Sequence, residues 1–203
     1  MAGALEDRIE AATGIRPTRI APLSGGSVSQ VYKVEFKGSQ PLVAKYGPAG
    51  GGLAIEGAML RYLAANTGLP VPAVISADDG LLLIEYIDAP GPLTAAAEAH
   101  AAELLAEMHA APVDGFGFAT DTLIGGLNQP NPAGDDWIAF FRDQRLLYMA
   151  GEALRWGNLP AALMARIEVL AGRLADWIPR TSRPALIHGD MWGGNILCRD
   201  GRV

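Results

Sequence analysis

Leu186-Ile187-His188-Gly189-Asp190-Met191-Trp192-Gly193-Gly194-Asn195-Ile196-Leu197 is the stretch on which the reading of this chain turns. An apolar run leads into a loop carrying Asp190, Asn195 follows five residues later, and a second apolar run leaves. A carboxylate at a strand end can accept a proton from an attacking hydroxyl. An amide oxygen further along the loop can bind magnesium, a hard ion that takes oxygen ligands. Taken alone, the same residues could merely pin a turn, because Asp, Asn and Gly favour turns for their own reasons.

Working outward, the His188-x-Asp190-x-x-x-x-Asn195 spacing is that of a kinase catalytic loop, and further parts of such a site occur upstream in the right order. Ser24-Gly25-Gly26-Ser27-Val28-Ser29 lies between two strand candidates, where backbone N–H groups can cradle phosphate oxygens. A Gly-Gly pair between strands is more often a plain hairpin. Lys45 sits in Val43-Ala44-Lys45 on the third strand and can meet the α- and β-phosphates as a point charge. Glu56, in the next helix, can pair with it. By themselves these two read as an exposed strand lysine and a solvated helix face. Glu85, Tyr86 and Ile87 follow an apolar run, where backbone groups can hydrogen-bond an adenine edge; the plain alternative is a buried strand. Each signal is weak singly. Their joint order is what carries weight.

The pattern predicts an α+β chain. A helix is expected over 3–13, then strands over 18–23, 31–36 and 42–46. In the second strand Tyr32, Val34 and Phe36 alternate with Val31, Lys33 and Glu35, the mark of a half-buried strand. A helix over 54–66 follows, with Ile55, Met59, Leu60 and Leu63 on one side. Strands over 71–77 and 81–87 flank an Asp-Gly turn, the first confined by Pro72 to an edge. Ala89-Pro90-Gly91-Pro92 marks a linker, so the expected lobes are 1–88 and 89–203. The second lobe reads as helices over 94–111, from Asp135 or Asp136 to about 156, and from Pro160 through Ile178. An irregular loop spans 115–134, and short strands are expected at 185–188 and from 196.

Composition narrows the classes. The chain has 203 residues, 50% apolar, with 16 basic and 22 acidic side chains, a net charge of −6. That content suits a packed core. The acidic balance, with no basic block, argues against a nucleic-acid partner. The longest strongly apolar stretch, Leu81 to Ile84, is far short of a membrane span, and the N-terminus does not read as a signal peptide. A single cysteine, Cys198, makes no intrachain disulfide and suits a reducing, cytoplasmic setting. Oligomeric state is not legible.

The chain resembles the fructosamine kinase (ketosamine 3-kinase) family, a small-molecule branch of the protein-kinase-like superfamily. The distinguishing residues are Phe116-Gly117-Phe118, Ile124-Gly125, Gln129-Pro130-Asn131, Asp135-Asp136-Trp137, Phe140-Phe141 and Arg145-Leu146, together with Trp192 in the loop. The resemblance implies a bilobal fold with an antiparallel N-lobe sheet plus helix and a mostly helical C-lobe. It implies ATP and Mg2+ as cofactors and phosphorylation of a sugar hydroxyl on a ketosamine, free or protein-bound, with a role in protein deglycation. Asp190 matches the catalytic base, Lys45 and Glu56 the phosphate-positioning pair, Glu85, Tyr86 and Ile87 the adenine hinge, and Asn195 a magnesium ligand. Gly25, Gly26 and Ser27 match the phosphate loop. Trp192 is a candidate for stacking on the sugar–amine, with packing against the loop an equal alternative. Some relatives carry a cysteine in the phosphate loop, where Ser27 stands here. The family continues past this point into an Asp-Pro-Ala motif with a second magnesium ligand, which these residues lack. The C-lobe is therefore expected to be incomplete and the chain part of a longer one. Competing expectations are a kinase for an aminoglycoside, choline or homoserine, a catalytically inactive nucleotide-binding module, and a structural interaction protein.

Overall fold

The structure is a computed structural model and describes residues 2–23 and 29–203. It opens with α1 (Ala2–Thr13), followed by β1 (Arg19–Pro22), β2 (Gln30–Phe36) and β3 (Ser39–Tyr46). After α2 (Leu53–Asn66) come β4 (Val74–Ala77), β5 (Leu81–Glu85) and α3 (Ala95–Ala110). The five strands form one antiparallel sheet in the order β1-β2-β3-β5-β4.

Side-chain alternation along β2 and β3 divides this sheet into two faces. On one, Val34, Ala44, Leu81 and Leu83 pack with Leu5 and Ile9 of α1, flanked by Tyr32, Phe36 and Tyr46. On the other, Leu82 and Ile84 pack with Leu53 of α2, flanked by Val43, Leu60 and Val74. Both faces of β5 are covered, so its sequence is unbroken Leu-Leu-Leu-Ile rather than alternating. Each such fully buried side chain contributes about 1.5–3 kcal/mol. Gly57 lets α2 lie close against the sheet, because a Cβ there would come within 2.5 Å of Ala77 Cβ. Arg8 ties α1 to the β4–β5 turn through Asp78 at 2.5 Å. Burial pushes the Asp78 carboxyl up, but Arg8 and the N–H groups of Gly80 and Leu81 outweigh it and hold it below the ordinary value. The carboxylate thus contributes stability above its unfolded-state value, which is lost as pH falls through the lowered folded-state one.

Packing divides the chain into two compact units, Met1–Ala111 with Ile187–Val203, and Pro112–Leu186. The expected lobes, 1–88 and 89–203, divide the chain at a different place. The second unit holds a hairpin of β6 (Thr122–Ile124) and β7 (Leu127–Gln129), then α4 (Trp137–Phe141), α5 (Tyr148–Arg155) and α6 (Ala161–Ala171). Asp136 caps α4, its Oδ1 accepting from the N–H groups of Ile138 at 2.8 Å and Ala139 at 3.2 Å. Asp136→Ala is expected to cost about 1 kcal/mol in urea unfolding. Asn131 is buried but satisfied. It donates to Thr120 O and Thr122 Oγ1, and its Oδ1 accepts from Arg145 at 2.5 Å. Burial lowers the Arg145 pKa, and its guanidinium lies over the Phe140 ring at 4.7 Å.

The α+β class, the helices and the edge position of β4 follow the sequence pattern. Several boundaries do not. The strand expected from residue 71 begins at Val74, because Pro70 and Pro72 lack the N–H a ladder needs. β5 ends at Glu85 rather than 87. The irregular loop at 115–134 contains β6–β7, closed by Gly125 and Gly126, both at positive φ. The helix expected from 136 to 156 contains a π-helical stretch, Arg142–Leu147. The helix from Pro160 ends at Ala171, followed by a separate 3-10 turn, Leu174–Asp176. Residues 185–188 are not a strand, and Cys198 makes only isolated bridges to Pro90 and Gly91. A strand needs a partner ladder, and an apolar run alone does not supply one. Among the described residues, no helix is long and apolar enough to cross a membrane.

Candidate active site

Lys45 is the residue of β3 opposite Val31 on one side and Leu82 on the other. Alternation puts it on the α2 face of the sheet. Glu56 lies in the first turn of α2, and its Oε1 accepts from Lys45 Nζ at 2.5 Å. The expected ion pair is therefore formed, with side chains 28% and 38% exposed. The close approach of α2 permitted by Gly57 brings the carboxylate within reach.

Glu85 ends β5. Its N–H donates to Ala73 O at 2.9 Å, and its carboxylate accepts from Ala73 N at 3.2 Å. Tyr86 is half-buried beside it, and Ile87 is exposed. The linker then runs to Gly91, whose N–H donates to Cys198 O at 2.9 Å. Arg199 reaches Asp88 at 3.5 Å. The segment carrying Asp190 is thus fastened to the residues that follow the hinge candidates.

Within that segment Asn195 Nδ2 donates to Asp190 Oδ2 at 2.7 Å and to Asp190 O at 2.9 Å. The Asp190 N–H donates to His188 Nδ1 at 3.3 Å. Asp190 and Asn195 are exposed, so the carboxylate is held yet open to solvent. Trp192 is 62% exposed, with its ring folded back over Gly194. The side chain is therefore largely open to solvent.

All described candidates belong to one compact unit. The structure joins Lys45 with Glu56 and Asp190 with Asn195, and no hydrogen bond or ion pair links the two pairs. Gly25, Gly26 and Ser27 lie outside the described residues. Among those described, no group of three or more His, Cys, Asp or Glu side chains is placed to hold a metal. The donor chemistry nonetheless fits part of a magnesium shell: with Nδ2 turned to Asp190, Asn195 Oδ1 is left as a hard oxygen donor.

One residue near these groups was not singled out by motif. Lys33 of β2 shares the Lys45 face, and its Nζ stands 4.1 Å from the Tyr86 ring centroid. The alternation Val31, Lys33, Glu35 was the available signal for it.

The family model described as fructosamine kinase matches residues 1–202. A Synechocystis sp. protein named "Probable ketoamine kinase" is 32% identical over 204 residues, covering 94% of this chain and 66% of its own. The chain spans about two thirds of the length of the curated relatives it matches. The crystal structure of a "putative fructosamine-3-kinase" from Thermobifida fusca superposes with a TM-score of 0.82 at 30% identity, covering 98% of this chain and 70% of that one. An ADP-bound aminoglycoside phosphotransferase, APH(2'')-Ib, shares the fold at 18% identity and a TM-score of 0.64, over 100% of this chain and 68% of that one.

Proposed function

The chain belongs to the fructosamine kinase family, and from that premise we propose that it supplies the nucleotide-binding and catalytic-loop parts of an ATP-dependent ketosamine 3-kinase acting in protein deglycation. The lobes of this reading are residues 1–88, which bind nucleotide, and 89–203, which carry substrate and catalytic loop. A reducing cytoplasmic setting accords with Cys198 being free and buried. The substrate is a glycated amine, small or protein-bound.

The observation that carries the reading is the Lys45–Glu56 pair on the same compact unit as the Asp190 loop. Strand register adds a length argument. Lys45 stands opposite Leu82, and from Leu82 to Tyr86 the chain advances about 13 Å at ~3.3 Å per residue. That span suits a nucleotide with its purine edge at Glu85–Ile87 and its first phosphates at Lys45. Glu56 holds the ammonium forward, and Gly25, Gly26 and Ser27 supply backbone donors to phosphate.

Asp190 orients the sugar hydroxyl and accepts its proton as the oxygen attacks the γ-phosphorus in line and the bond from that phosphorus to the β,γ-bridging oxygen breaks, with ADP as the leaving group. Asn195 keeps the carboxylate in place through Nδ2 and would offer Oδ1 to magnesium. Magnesium, when bound, neutralises charge on the phosphates. The exposed part of Trp192 stacks on the sugar–amine.

The test is phosphate transfer from ATP to ribulosyl- and fructosyl-lysine, followed by mass spectrometry, with an aminoglycoside, choline and homoserine as controls. Transfer to a ketosamine and not to the controls is expected; transfer only to a control compound, or to none, overturns the reading. Lys45→Ala is expected to raise KM for ATP at least tenfold, since a charge-assisted contact of about 1.5–3 kcal/mol is lost. Unchanged ATP kinetics would remove Lys45 from the phosphate site.

A further inference from the structure

Lys33 has two possible partners. Its Nζ lies 3.9 Å from Glu35 Oε1, but no hydrogen bond is formed, and Glu35 has a second cation in Arg19 at 3.8 Å. Its closer geometric match is the Tyr86 ring, 4.1 Å from ammonium to centroid. A lysine ammonium over an aromatic face is attracted by the ring quadrupole, the more so when shielded from water, and the Lys33 side chain is only 28% exposed.

The placement gives this contact a consequence. Lys33 pairs with Val43, and Val31 pairs with Lys45, so the two lysines lie diagonally on one face with Val31 and Val43 between them. That face is an apolar strip with a cation at each end. Lys45 marks the phosphate end of the proposed nucleotide path. Lys33 marks the other end, where the chain leaves β5 at Tyr86. Glu85 is already clamped from the β4 side by two hydrogen bonds with Ala73. Tyr86 has the Lys33 contact from the β2 side. The hinge candidate is thus gripped from both neighbouring directions.

We infer that Lys33 is a positioning residue for nucleotide binding: by holding the Tyr86 ring it sets the backbone of residues 85–87 that meets the purine. The inference rests on the hinge reading above and adds a residue and a mode of action to it. Lys33 acts through Tyr86 and touches no reacting atom. Its signature is a change in nucleotide affinity without a change in the chemical step.

The experiment compares Lys33→Met, Lys33→Arg and Tyr86→Leu by steady-state kinetics and by titration with a fluorescent ADP, which reads binding without transfer. Lys33→Met is expected to raise KM for ATP and Kd for the ADP probe roughly 3- to 30-fold, the worth of a cation–π contact, with kcat at saturating ATP unchanged. Lys33→Arg, which keeps the cation, should behave as wild type. Tyr86→Leu should match Lys33→Met, and the double variant should be no worse than either single one. Lys33→Gln serves if the Met variant fails to fold. Equal probe binding in wild type and the Lys33 variants overturns this inference alone. So does a loss in kcat, or additive effects in the double variant. Failure of the wild type to bind the probe removes the functional reading and this inference with it.

Discussion

Asp190→Ala is expected to lower kcat for phosphate transfer about 10²- to 10⁴-fold, the usual worth of a positioned general base, with nucleotide affinity little changed. The carboxylate is exposed and held by Asn195 at 2.7 Å, so it is both oriented and reachable. The groups proposed for phosphate and purine are on β3, α2 and the end of β5, and removal of a loop carboxylate leaves their mutual packing untouched. Rapid-quench measurement of phosphate transfer reads the chemical step, and a fluorescent ADP titration reads binding. Asp190→Asn sharpens the result: it keeps the shape and the capacity to hydrogen-bond but cannot accept the proton, so it should lose nearly as much. Turnover near the wild-type rate in either variant would contradict the assignment of the base.

The largest stability effect is expected at Gly117. Its φ is +103°, a region an L-residue enters only with strain of about 1–3 kcal/mol. A Cβ there would also be driven against two carbonyl oxygens, those of Pro132 and Asn131, the latter at 2.9 Å. Those carbonyls cannot retreat freely: the Phe118 N–H donates to Asn131 O at 3.0 Å, and Phe116 and Gly134 exchange hydrogen bonds at 2.8 and 3.0 Å. Gly117→Ala should therefore destabilise by about 3 kcal/mol, adding the overpacking cost of such a crowded site. The matched control is Gly134→Ala, where a Cβ meets nothing within 4 Å and φ is not positive. Urea unfolding of the two variants should differ by most of that amount; equal midpoints would mean that the loop relaxes around the methyl.

Gly117 also shows why part of the second unit was illegible. The Phe116-Gly117-Phe118 run stands out in the sequence, yet nothing in it says that its backbone packs against residues 131–134. The β6–β7 hairpin had a readable signal in Gly125-Gly126, two residues able to take positive φ between short apolar runs, but strands this short carry almost no alternation. The π-helical stretch Arg142–Leu147 has no periodic signature that separates it from the helices on either side. By contrast, the candidate site residues could be picked out from residue type and spacing: Lys45 on the third strand, Glu56 one helix later, and the Asp190–Asn195 interval, which the structure joins as two hydrogen-bonded pairs.

Local order was set by the chain itself. Alternation along β2, the unbroken apolar run of β5 and the helical spacing in α1, α2 and α3 are properties of neighbouring residues, and they hold wherever the segment finds a surface to cover. What only the tertiary structure decided are the relations between distant residues. These are Lys45 on Glu56 at 2.5 Å, Lys33 over Tyr86 at 4.1 Å, Gly91 bonded to Cys198 at 2.9 Å, and the absence of a strand at 185–188. Each depends on register and on which partner is adjacent. A one-residue slip of a strand would turn either lysine to the opposite face, and an apolar run without a neighbour has no backbone partners with which to become a strand.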